Sequence, residues 1–187
     1  KKRKGVTNNK GEMIGILEQI DVLSHFANHT YVVDSKIKKA KDIEGLKSAS
    51  MDLLNIIKSL HAKGVKVNHI SNLIGQLNTK VYQKLYNLVL PKELQKDACF
   101  IVMGSEGRNE QIIKTDQDNA LVVKDGIDVE QYRPYMNLIS EYLIDFGYPS
   151  CEGNIMVSNA FWCKNVSSYK SETARWIEAP DMQNYMD

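Results

Sequence analysis

The sequence predicts an α+β protein in which a helical bundle precedes a small mixed sheet flanked by helices. Three observations predict it. Between residues 36 and 90, apolar residues recur at steps of three and four, the spacing of one helix face. Pro91 ends that run. Beyond it, short strands at Cys99–Met103 and Asn119–Gly126 stand on either side of a polar loop, and a helical pattern over 128–146 follows.

The turn signal Asn8-Asn9-Lys10-Gly11 precedes the apolar run Met13, Ile14, Ile16 and Leu17, which predicts a strand. Ile20, Val22, Leu23 and Phe26 then predict a helix. The basic start, "KKRK", reads as a solvated strand end or linker. In the helical half, Ile43, Leu46, Leu53, Ile57 and Leu60 share a face. After a break at Lys63-Gly64, Val67, Ile70, Ile74, Leu77, Val81, Leu85 and Leu88 share another. His61 and His69 lie near the break and read as surface residues. Asp125-Gly126 closes the second apolar run as a turn. The helix over 128–146 offers Tyr132, Tyr135, Leu138, Ile139, Tyr142, Leu143 and Phe146 to the core. Cys151–Asn159 is expected as a third strand. A last helix is expected from a Ser167 or Ser168 cap to near Pro180.

Composition narrows the function classes. The chain has 187 residues, 43% apolar and 25% charged, with a formal net charge of +1. That balance is ordinary for a globular protein and supplies no global field for nucleic acid or an anionic membrane. No apolar run approaches the roughly 20 residues of a membrane span. Cys99, Cys151 and Cys163 fit no CxxC or Cys/His metal spacing, and an odd count suits a reducing cytoplasm. Trp162 and Trp176 read as packing residues. The expectation is therefore a cytoplasmic protein without nucleic-acid or membrane partners.

The stretch Met103–Asn119, "MGSEGRNEQIIKTDQDN", carries the chemistry. In a strand, residues two apart point to the same face, which places Asp116 and Asp118, expected to open the second strand, together. Two such carboxylates repel unless something neutralises them, and Mg²⁺ binds carboxylate and phosphate oxygens. Gly104 and Ser105, at the end of the preceding strand, form a turn whose backbone can approach a phosphate closely. Arg108 adds a planar cationic fork. Together these residues make a coherent site for a Mg²⁺-bound triphosphate.

Gly104-Ser105, then ten residues, then Asp116-x-Asp118 resembles the signature of the DNA polymerase β-like nucleotidyltransferase superfamily. The longer "GSEGRNEQIIKTDQDNALV" is similar to the nucleotidyltransferase domain of PII-protein uridylyltransferase. More closely, the chain resembles bacterial signalling proteins that carry CBS domains ahead of a nucleotidyltransferase domain. "GEMIGILEQIDVLSHFANH" looks like the last strand and helix of a CBS domain, and "GNIMVSNAFW" like the end of the same family's transferase domain. The resemblance implies that residues 1–33 are the remnant of a CBS domain and that 34–91 form a helical linker or bundle. It implies that 92–165 form the nucleotidyltransferase-like domain and that 166–187 begin a truncated helical substrate-binding domain. On this reading the chain is a piece of a longer protein. Region 34–91 couples the CBS module to the transferase and is the candidate homodimer surface.

The same resemblance assigns roles. Gly104 and Ser105 hold the triphosphate, Asp116 and Asp118 bind Mg²⁺, and Arg108 and Lys114 face phosphates. Glu110 orients Arg108 through an ion pair. The reaction it implies is attack on the α-phosphate with pyrophosphate leaving, onto a protein or small-molecule acceptor. Superfamily enzymes usually add a third carboxylate from a later strand. Here Glu152 is the candidate, and Asn154 stands where an acid could be. Asn binds a metal through its carbonyl but accepts no proton as a base. Two readings follow: an active nucleotidyltransferase, or a catalytically inactive nucleotide-sensing module.

Overall fold

A computed structural model of the chain describes residues 3–18 and 30–179. It is α+β, as expected. Strands β1 (Arg3–Thr7) and β2 (Met13–Glu18) form an antiparallel hairpin. The Asn8 carboxamide closes its turn by accepting from the N–H groups of Lys10 (2.9 Å) and Glu12 (3.0 Å). Both strands are largely exposed, including Met13, Ile14, Ile16 and Leu17. The helix expected at Ile20–Phe26 lies outside the described residues. Helix α1 is described over 30–39.

The helical half follows the predicted spacing. Helix α2 (Ile43–Ala62) starts where the Asp42 carboxylate accepts from the Gly45 N–H at 2.8 Å. It buries Leu46, Leu53, Ile57 and Leu60. Gly64, with φ +72°, makes the break, and α3 (Val67–Val89) follows. Ile70, Ile74, Leu77, Val81 and Leu85 are buried, whereas Val67 in its first turn is 52% exposed. His61 and His69 are exposed. Pro91 opens the short helix α4 (Lys92–Gln95).

Among the described residues, a second sheet holds three strands that lie side by side in chain order. Strand β3 (Ala98–Val102) runs antiparallel to β4 (Asn119–Val123), and β4 runs parallel to β5 (Cys163–Asn165). Between β3 and β4 lies the single-turn helix α5 (Gly104–Gly107). Helix α6 (Arg133–Asp145) follows a short 3-10 turn at Val129–Tyr132. Tyr132, Met136, Ile139, Leu143 and Phe146 recur at steps of four and three and are all buried. Leu138, expected on that face, is 39% exposed.

Two sequence expectations are corrected. The third strand is Cys163–Asn165, not Cys151–Asn159, which is a loop of turns. Asn154 there has φ +57°, which no strand residue adopts. The last helix, α7 (Val166–Glu178), is not capped by its own serines. The Asp125 carboxylate from the β4 turn accepts from the Ser167 N–H at 2.9 Å.

One hydrophobic core joins α2 and α3 to β4 and α6, so Pro91 divides the chain but not the core. Leu85 on α3 has no exposed surface. Leu85→Ala is expected to cost about 2–5 kcal/mol in denaturant unfolding. Because the core is shared, helical and sheet signals should fall together in one transition, and separate transitions would contradict it.

Candidate functional site

The site starts from the pairing of β3 with β4. Val102 stands opposite Asn119, and one step further the Met103 N–H donates to the Asp118 carbonyl at 2.8 Å. The chain then turns at Gly104, with φ +55°. A side chain in that conformation costs about 1–2 kcal/mol. It would also have no room, because a Cβ on Gly104 would stand 2.0 Å from Oδ2 of Asp118. Gly104 is the residue that lets this backbone lie directly against the Asp118 carboxylate.

Alternation along the start of β4 separates two faces. Gln117 and Asn119 point inward and are buried. The Gln117 N–H donates to the Pro149 carbonyl at 3.0 Å, and its amide donates to the carbonyls of Ser140 and Tyr148. The Asn119 N–H donates to the Ile155 carbonyl, and its Oδ1 accepts from the Val157 N–H at 2.8 Å. These bonds hold residues 149–157 against β4 without making them a strand.

Asp116 and Asp118 fall on the other face. A carboxylate oxygen from each and the Cys151 sulfur all lie within 4.8 Å of one another. Asp116 is exposed, whereas Asp118 and Cys151 are half-buried. Burial raises the Cys151 thiol above its usual range, and its bond to the Asp118 carboxylate raises it further. The residue that meets the two aspartates from the later segment is thus a cysteine. Its spacing in the sequence gave no metal signal, because the partners lie more than thirty residues away.

The other expected residues are placed as follows. Glu152 is exposed and lies outside that three-residue cluster, and Asn154 is exposed. The Ser105 hydroxyl shares a hydrogen bond with that of Thr115 at 3.1 Å. Arg108 is exposed and donates to Glu110 at 2.9 Å. Lys114 donates to the Ser50 hydroxyl at 3.0 Å and to the Phe146 carbonyl, with its ammonium 4.8 Å from the centre of the Tyr148 ring. Burial lowers its pKa to about 8.

A buried polar network behind the turn was not read from the sequence. Glu106 is only 7% exposed. It accepts from the Asn78 amide on α3 at 3.1 Å, and the Asn78 oxygen accepts from the Tyr148 hydroxyl at 2.9 Å. In the orientation that satisfies both ends of the Gln111 amide, its nitrogen donates to Glu106. Its oxygen then accepts from the Thr115 N–H (3.2 Å) and hydroxyl. The network links α3 to the Gly-Ser turn and to Thr115, directly before Asp116. Burial, opposed by the Asn78 bond, raises the Glu106 pKa to about 7.

The family model described as "Putative nucleotidyltransferase DUF294" matches residues 51–183, well over half of the chain. The chain belongs to that family. It has no significant match among curated proteins or solved structures. The matched span begins within α2, so the family unit includes α3 together with the sheet.

Two predictions follow from this geometry. Gly104→Ala should lower stability by about 1–3 kcal/mol, since it adds backbone strain and displaces Asp118. Calorimetry of both proteins checks it. Glu106 holds its proton in the folded state through the range from pH 4.5 to about 7, where an unfolded chain releases it. Its contribution to stability is therefore full below that range and is lost as pH rises through it, by no more than about 3 kcal/mol. Glu106→Gln should flatten this dependence in denaturant titrations, and an unchanged slope would contradict it.

Proposed function

We propose that the chain is a Mg²⁺-dependent nucleotidyltransferase similar to PII-protein uridylyltransferase. It moves a nucleoside monophosphate from a nucleoside triphosphate to a protein or small-molecule acceptor in CBS-regulated signalling. Family membership supports nucleotidyl transfer at a coarse level. The observation that carries the site is the convergence of Asp116 and Asp118 beside a glycine turn, where a Cβ on Gly104 would collide with the Asp118 carboxylate. Carboxylate oxygens are the donors Mg²⁺ prefers, and the glycine at 104 lets the backbone of the turn lie directly against the Asp118 carboxylate.

In this reading Asp116 and Asp118 would hold the ion. Bound Mg²⁺ supplies charge neutralisation on the triphosphate and polarisation of the reacting oxygens. Gly104 and Ser105 keep the triphosphate against the aspartates, and the Ser105 hydroxyl is oriented by Thr115. Arg108 reaches phosphate oxygens by exchanging its exposed ion pair with Glu110, a contact that contributes only about 0–1 kcal/mol. Lys114 acts on the same loop from behind, anchored to Ser50 and Phe146. Glu152, beside Cys151 on an exposed loop, takes the proton of the attacking hydroxyl.

The domain reading is proposed with it. The exposed apolar face of the β1–β2 hairpin supports assigning residues 1–33 to a CBS domain, with 34–91 as the coupling and dimerising region. Region 92–165 is the transferase core, and 166–187 begins the acceptor-binding domain.

A second reading rests on one observation. The segment expected to supply a third carboxylate, through Glu152 or at Asn154, instead presents the Cys151 thiol to Asp116 and Asp118. A site with only two carboxylates binds a Mg²⁺-nucleotide without an efficient base, which suits a nucleotide-sensing regulatory module.

Incubation with Mg²⁺, cell lysate and each of four α-phosphate-labelled nucleoside triphosphates separates the two. Transfer of label to an acceptor by the intact protein, and not by Asp116→Ala/Asp118→Ala, is the expected result. Mg²⁺-dependent nucleotide binding without transfer would replace the enzyme with the sensor. Absence of both would overturn the nucleotide site.

A further inference from the structure

We infer that Cys151 is a third protein ligand of the two-aspartate site, which gives the site a specific affinity for thiophilic divalent cations such as Zn²⁺ or Cd²⁺. This rests on the metal-site reading of Asp116 and Asp118 and adds a regulator to it. The sulfur and the two carboxylate oxygens lie within 4.8 Å of one another, so a small closing movement of the side chains brings all three to one ion. The convergence is built by the fold. Gln117 pairs with Ser150 and Pro149 on one side of Cys151, and Asn119 holds Ile155 and Val157 on the other. Both holding residues are buried, so the cysteine is carried on a fixed backbone.

The donor set has a chemical consequence. Mg²⁺ takes oxygen donors and gains nothing from sulfur, so it uses the two carboxylates and leaves the thiol protonated. A thiophilic ion instead binds the thiolate together with the carboxylates, and the thiol proton passes to the buffer. No electrons are transferred. The two classes of ion compete for the same aspartates, so a thiophilic ion displaces Mg²⁺. Glu152, next in sequence but exposed and outside the cluster, does not supply the third donor.

The test uses Cd²⁺ as the probe and reads its ultraviolet sulfur-to-metal charge-transfer band under reducing, metal-free starting conditions. The intact chain, Cys151→Ser, Cys151→Ala and Asp118→Asn are titrated, all on a Cys99→Ser background because Cys99 is exposed. Circular dichroism establishes that each variant is folded. A saturable band is expected in the parent, absent from both Cys151 variants and weakened in Asp118→Asn. Cd²⁺ affinity should fall by about tenfold or more without the sulfur. Competition by Mg²⁺ should shift the parent's Cd²⁺ titration. A band that survives in Cys151→Ser, or a Cd²⁺ affinity that does not change, overturns the proposal. So does a band that ignores Asp118. Mg²⁺-dependent nucleotide binding, measured on the same proteins, reads the underlying site separately. If Cys151→Ser keeps both Cd²⁺ and nucleotide binding while Asp118→Asn loses both, the thiolate proposal fails and the two-aspartate site stands. A band that needs Cys151 and Asp118 in a chain that binds no nucleotide supports the thiolate ligand and overturns the nucleotide reading.

Discussion

The hydrogen bond from the Met103 N–H to the Asp118 carbonyl carries the β3–β4 ladder one step past its last paired residues, Val102 and Asn119. Everything in the site is measured from it. It fixes where β3 must turn, and so brings Gly104 into contact with the Asp118 carboxylate. It also fixes the pleat of the facing segment, so that Gln117 and Asn119 turn into the core while Asp116 and Asp118 turn out. A one-residue slip would bury the two carboxylates and expose the two amides. The inward amides then pay back the arrangement by tethering the 149–157 loop, which delivers Cys151.

The helical half is part of this construction. Helix α3 approaches the loop after the turn so closely that a Cβ on Gly75 would lie 2.6 Å from the Asn109 side-chain oxygen. One helical turn on, Asn78 reaches Glu106. Lys114, just before the aspartates, is tied to Ser50 on α2 and to the end of α6. A shift of α2 or α3 is therefore felt at both ends of the loop that holds the aspartates. This gives the coupling role proposed for region 34–91 a physical route, through packed helices and buried polar contacts rather than through the exposed surface. The hydrogen-bonded buried network also explains why a carboxylic acid is kept at Glu106 in a place that disfavours its charge.

Much of this was legible in the sequence, for physical reasons. Steps of three and four predicted α2, α3 and α6 because burial of one helix face imposes that period. The Gly104-Ser105 and Asp116-x-Asp118 pattern predicted two carboxylates on one side because the pleat has a period of two. What was missed depends on long-range contact. The apolar residues of 151–159 suggested a strand, but Asn154 with φ +57° and the tether from Asn119 make it a loop. The true third strand, Cys163–Asn165, has only three residues and no alternation to detect. Cys151 carried no local metal signal, and the Glu106–Asn78 contact spans twenty-eight positions. Ser167 and Ser168 looked like caps because serine commonly is one, yet Asp125 from a distant turn takes that part. Local rules recovered the elements, and the fold decided which polar residues meet.

In the proposed mechanism, Asp116, Asp118 and the Gly104 turn act as one ion-and-nucleotide site. The most direct test is nuclear magnetic resonance of the labelled protein with a non-hydrolysable nucleoside triphosphate analogue and trace Mn²⁺ in place of Mg²⁺. A paramagnetic ion broadens only the resonances near it. Broadening is expected to centre on residues 104–105 and 116–118, to extend to 150–152 across the bridged loop, and to vanish in Asp116→Ala/Asp118→Ala. Broadening centred elsewhere, or the same pattern in the doubly substituted protein, would contradict it.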